Sequence, residues 1–100
     1  MNITKLLETF LNDDKTVEKI FDDVYCEKMN KKILSLGNED DLYNSLCKIA
    51  LTYIKPFDDE TYKEFLELIT NEHYYKEIKR NNIYLIRDFY FWIHFAQKNL

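Results

Sequence analysis

One glycine and one proline in 100 residues leave this chain almost no turn chemistry. Tight β-hairpins draw on Gly or Asn-Gly at their central positions, so a multi-stranded sheet has little to fold around. Long apolar runs are missing too. The longest, Ile83–Ile86 and Phe89–Ile93, fall far short of the roughly 20 residues a membrane-spanning helix needs. The start, Met1-Asn2-Ile3-Thr4-Lys5, carries no apolar stretch of the kind that marks a secretory leader. The two cysteines, Cys26 and Cys47, sit in helical patterns with apolar neighbours. They are expected to be buried free thiols of a cytoplasmic protein. With His73 and His94 they complete the Cys and His content, and none stand at zinc-motif spacings. Neither a metal nor a cofactor is expected, since one glycine cannot build a phosphate-cradling loop. The two serines, Ser35 and Ser45, lie in no nucleophile-elbow pattern.

What is present is an apolar fraction of 46% and an aromatic fraction of 16%, with eight Tyr and seven Phe. A chain of this length is one domain, residues 1–100, able to bury roughly 65% of its unfolded surface. The net charge of −4 is unevenly spread: residues 1–67 carry −6 and residues 68–100 carry +2. An acidic body disfavours direct nucleic-acid binding, which needs cations against phosphate. It suits a basic protein partner.

Apolar spacing predicts the helices. Ile3, Leu6, Leu7, Phe10 and Leu11 make one face of a helix over 3–12. Val17, Ile20, Phe21 and Val24, then Tyr25, Met29, Ile33 and Leu36, suggest a helix over 15–35 with drifting phase. Gly37 falls where a left-handed residue closes a helix. Asn38 is an N-cap before a third helix carrying Leu42, Leu46, Ile49, Ala50 and Tyr53, which Pro56 ends. Asp58 caps a fourth helix, with Phe57 and Tyr62 at the positions of a hydrophobic staple. Asn71 caps a short fifth, and Asn81-Asn82 breaks the chain again. The last segment, 83–98, shows almost no polar face, and a helix apolar all round is normally buried by its neighbours. Its β-branched and aromatic content also admits a strand. The expected fold is all-α: a compact bundle of five to six helices packed around the apolar C-terminal helix, with Trp92 largely buried.

Three constellations bear on function. Acidic clusters at 13–14, 39–41 and 58–60 fall at expected helix starts, where they meet the positive end of the helix dipole. Asp22-Asp23 falls mid-helix instead, with Glu18 and Glu27 each four residues from one of the pair. Like charges at that spacing destabilise an isolated helix by about 0.2–0.5 kcal/mol, which marks the group as a recognition surface. Tyr43, Tyr74, Tyr75 and Tyr84 form an aromatic surplus beyond the inward stripes, and tyrosine is common at interface hot spots. The residues expected to meet a partner are therefore Glu18, Asp22, Asp23, Glu27, Glu39, Asp40, Asp41, Tyr74 and Tyr75.

The third is Arg87, Asp88 and His94 on the terminal helix. Seven residues is nearly two turns, which places Arg87 and His94 on one face about 10 Å apart along the axis. This Arg-Asp-x5-His arrangement resembles the Arg-x4-6-His motif of HEPN ribonucleases. The resemblance implies a helical, often dimeric domain that cleaves RNA without metal, Arg87 holding phosphate and His94 moving the proton. It covers one short helix. The acidity of the whole chain points first to another reading: a non-enzymatic binding protein, an immunity protein or antitoxin that neutralises a basic cognate nuclease toxin. A small helical adaptor and a phage-encoded inhibitor of a host nucleic-acid-processing enzyme fit the same composition.

Overall fold

Short local signals start most of the helices. In a computed structural model that describes residues 2–80 and 83–98, these residues form seven helices and no strand. They are α1 (Ile3–Leu11), α2 (Thr16–Lys19), α3 (Asp23–Ser35), α4 (Glu39–Tyr53), α5 (Asp59–Ile69), α6 (Glu72–Lys79) and α7 (Leu85–Lys98). The expected break at Asn81-Asn82 lies outside the described residues. No helix among those described is long and apolar enough to cross a membrane.

The caps read from sequence are in place. Asn38 and Asp41 form a reciprocal capping box at α4, each side chain accepting from the other's backbone N–H at 2.9 Å. Asp58 accepts from the N–H groups of Glu60 and Thr61 at α5, and Asn71 from that of His73 at α6. Helix α4 ends at Tyr53, two residues before the proline-preceding position is reached at Lys55.

Gly37 does not take the left-handed conformation. It is required for space: a Cβ there would meet the Asp41 side chain, with Oδ2 at 2.6 Å and Cβ at 2.8 Å. Gly37→Ala is expected to push Asp41 out of the capping box and lower stability by about 1–2 kcal/mol. Urea denaturation of the two proteins checks this, and an unchanged midpoint would show that the box survives the added methyl.

One hydrophobic cluster runs through the bundle. Helix α1 lies on α4, α4 on α5, and α5 on α6. Helix α7 packs against α3, α4 and α5, and buries Leu85, Ile86, Phe89, Ile93 and Ala96. The expectation that it is enclosed all round is corrected by the structure. Its neighbours cover only part of its circumference, so Phe91 and Phe95 stay 44% and 56% exposed, His94 is exposed, and Trp92 is half-buried.

The single helix expected over 15–35 is also corrected. The chain leaves helical geometry after Lys19 and restarts at Asp23. Of Val17, Ile20, Phe21 and Val24, only Ile20 is buried; the other three face solvent.

Candidate docking surface

The break before α3 changes what Asp22 and Asp23 are for. Asp22 is the N-cap of α3, accepting from the Tyr25 N–H at 3.2 Å. Asp23 opens the first turn and pairs with Arg87 at 2.7 Å. Both sit at the positive end of a helix dipole, and Glu18 and Asp22 no longer share one helix; Asp23 and Glu27 remain four residues apart on α3. Glu18 lies on α2, a separate helix, and Glu27 pairs with Lys31 at 3.1 Å. Replacing Asp22 and Asp23 together by Lys removes the cap and an ion pair and puts two cations at a helix start. The expected result is a loss of about 1–3 kcal/mol, measured by thermal or urea denaturation. A variant as stable as the parent would count against the observed break.

The second expected group separates in the same way. Glu39 pairs with Lys79 across the α4–α6 junction, and Asp41 belongs to the capping box. Glu39 and Asp40 line a shallow cleft with Tyr43 and Tyr75. Tyr74 and Tyr75, expected at the surface, are buried at 4% and 8% exposure, with Tyr75 still reaching the lining of that cleft. Their rings meet edge-on at 5.8 Å. The Tyr74 hydroxyl donates to Asp88 at 2.9 Å, and burial followed by that carboxylate pushes its pKa far up. The Tyr75 hydroxyl has no hydrogen-bond partner among the described residues, and burial raises its pKa to about 12.

Arg87, Asp88 and His94 do not converge. The Arg87 guanidinium lies over the Tyr84 ring at 5.1 Å and is committed to the Ile20 carbonyl at 2.5 Å and to Asp23. His94 stacks on Tyr90 at 5.9 Å and borders a depression with Leu11, Asn12, Tyr53, Ile93 and Gln97. Asp88 borders a different one, with Glu64, Phe91, Trp92 and Phe95. Among the described residues no group of three or more His, Cys, Asp or Glu is placed to hold a metal. Cys26 is buried and Cys47 half-buried, and both are free thiols.

The feature missed in the sequence is aromatic. Phe21, 69% exposed, meets Phe91 with ring centroids 6.5 Å apart. Phe91 continues into Trp92 and Phe95, which share a depression of about 370 Å³. Val17 and Val24, on either side of Phe21 in sequence, are exposed as well. The ridge joins the break before α3 to the uncovered side of α7. Scattered exposed apolar residues are ordinary, and a joined run of this kind is the candidate docking surface of the fold.

Asp88 sits under this ridge with its carboxyl partly desolvated. Burial holds its pKa above the ordinary 3.8, against the opposing hydrogen bond from Tyr74. The folded state therefore binds this proton more tightly than the unfolded chain. The penalty is absent below the ordinary carboxylate range and grows as pH rises through the raised folded value. Asp88→Asn keeps an acceptor for Tyr74 and removes the charge. It is expected to match or exceed the parent's stability at neutral pH, with the difference vanishing below about pH 4. Parallel melts across pH check this; an advantage that widens on acidification would contradict it.

Comparison with known protein families, curated proteins and solved structures finds no match to this chain.

Proposed function

We propose that this protein works by binding another protein, and that the aromatic ridge of Phe21, Phe91, Trp92 and Phe95 is its docking face. The observation that carries this reading is the contact of Phe21 with Phe91, which joins exposed rings from two distant segments into one surface. Large aromatic side chains at the centre of an interface supply most of its binding energy. The acidic first two-thirds of the chain fits a basic partner and would hasten encounter with it. The concrete form of the proposal is an immunity protein or antitoxin, acting in the cytoplasm, that neutralises a nuclease toxin. A nuclease keeps cations around its nucleic-acid site, and an acidic, aromatic plug answers both their charge and their hydrophobic surroundings.

A photo-crosslinking amino acid placed at Phe95, with a control at exposed Glu8 on α1, tests this in the native host. Crosslinking from position 95 to a basic protein, and none from position 8, is the expected result. Adding an equal amount of the purified protein is then expected to suppress the partner's nucleolytic activity. Equal crosslinking from both positions would place the docking face elsewhere. A partner whose activity is untouched would end the inhibitor reading.

A further inference from the structure

Three features of the molecule invite a ligand. The first is the cavity of about 310 Å³ at the start of α4, lined by Ile33, Leu34, Leu42 and Tyr75. The Glu39–Lys79 ion pair belongs to the same lining, and the first turn of α4 is filled by Glu39, Asp40 and Asp41. Those charges disfavour an anion, and no apolar ligand is specified. The second is the His94 depression, where His94 and Tyr90 stack on each other beside Tyr53, and no Asp, Glu, Lys or Arg among the described residues lines it. The third, beneath the aromatic ridge, carries both shape and charge.

We propose that the depression between Glu64, Asp88, Phe91, Trp92 and Phe95 seats a cationic side chain, Lys or Arg, of the partner protein. This rests on the docking face argued above and names the chemistry of its central contact.

The rings form the site's apolar lining. Trp92 packs edge-on against buried Phe65 with centroids 5.4 Å apart, which holds the indole in place. Phe91 and Phe95 stand one helical turn apart on α7 and remain largely open to solvent. Aromatic faces carry negative potential and attract ammonium and guanidinium groups, Trp most strongly.

The carboxylates set the sign. Asp88 is four residues before Trp92 on α7, and its hydrogen-bond partner among the described residues is the neutral Tyr74 hydroxyl at 2.9 Å. No Lys or Arg among the described residues pairs with it, and the adjacent Arg87 is held by Asp23 and the Ile20 carbonyl. Glu64, on α5, is exposed and in no ion pair among the described residues. Glu60 and Glu67 lie one turn before and after it on the same helix face, both exposed. Lys63, beside this stripe, is paired with Asp59 at 3.4 Å.

Charge decides between occupants. A neutral apolar side chain would complete the burial of Asp88 without a counter-ion, which is costly. A second copy of this chain brings a net charge of −4 and the same acidic rim. A partner cation satisfies both carboxylates and the ring faces together.

The test uses the full-length protein and blocked pentapeptide amides of sequence Leu-Ala-X-Ala-Leu, with X as Lys, Arg, Gln or Glu. Trp92 is the only tryptophan, so its fluorescence reports this site directly, with amide chemical shifts as a second readout. Lys and Arg peptides are expected to bind roughly three- to tenfold more tightly than the Gln peptide, and the Glu peptide most weakly. Asp88→Asn and Glu64→Gln are each expected to shrink that preference, and both together to remove it. Asp88→Asn keeps the Tyr74 acceptor and Glu64 is exposed, so both variants are expected to fold; Glu8→Gln serves as control. Equal binding of Lys and Gln peptides would overturn the cation site while leaving the docking face standing. No response of Trp92 to any peptide would overturn both. Concentration-dependent dimerisation that shifts Trp92 by itself would assign the depression to a second copy and overturn the proposal.

Discussion

Phe89→Ala is expected to lower the unfolding free energy by about 3–5 kcal/mol. Phe89 is fully enclosed, and its ring meets that of Phe65 edge-on at 5.2 Å and 78°. Phe65 is itself buried and also touches Trp92. The truncation would open a void between α5 and α7 where the Phe65 and Phe89 rings now meet, and a packed core relaxes only partly around such a void. A domain of this size has only about 5–15 kcal/mol in total, so the variant is expected to be marginal. Phe91→Ala, on the same helix with 44% exposure, is the contrasting case. A solvent-facing truncation is expected to cost no more than about 1 kcal/mol. Urea denaturation followed by circular dichroism separates the two. Equal losses would mean that α7 is enclosed on both sides after all.

The features legible in the sequence were those decided within a few residues. Asn38, Asp58 and Asn71 were read as caps, and each accepts a backbone N–H at the start of its helix. A cap needs only its own next turn, so local sequence is enough to find it. The break at residues 20–22 was hidden because Val17, Ile20, Phe21 and Val24 satisfy helical spacing. The chain turns there, and long-range contacts help fix the turn: Arg87, 67 residues away in sequence, bonds the Ile20 carbonyl. The open side of α7 was hidden for another reason. When nearly every position is apolar, periodicity cannot say which face the other helices will cover. Gly37 was picked out correctly as special but for the wrong reason, since its backbone is ordinary and the crowding comes from Asp41.

The two misread places meet in space. Because the chain breaks before Asp23, Asp22 becomes a cap and Phe21 is left outside the core, where it meets Phe91. The acidic pair and the exposed ring thus have one origin. The sequence drew attention to the charges, whereas the fold uses them to hold α3 in place and leaves the rings exposed. That shift moves the candidate surface from α3 to the junction of α3, α5 and α7, the helices that α7 itself holds together.

Asn30→Ala is the second substitution with a large expected effect, about 2–4 kcal/mol of stability. Asn30 lies mid-helix in α3 and is completely buried. Its Oδ1 accepts from the Leu85 N–H at 2.9 Å, and its Nδ2 donates to the Ile78 carbonyl at 3.3 Å. Leu85 is the first residue of α7, where backbone N–H groups lack a partner within their own helix. The cap for α7 is therefore supplied across the core by α3, and the same amide ties down the end of α6. Alanine would leave that N–H buried and unpaired. Asn30→Asp tests the two halves of the contact separately. A carboxylate still accepts from Leu85 but cannot donate to Ile78; a protonated carboxyl can do both. Burial also disfavours the charge, so the folded state of that variant would hold the proton more tightly than the unfolded chain. Its deficit relative to the parent is then largest at neutral pH and shrinks as pH falls through the raised folded value. The measurements are urea midpoints across pH and amide exchange at Leu85. An alanine variant within about 0.5 kcal/mol of the parent, the usual range for a surface change, would show that Asn30 does not cap α7.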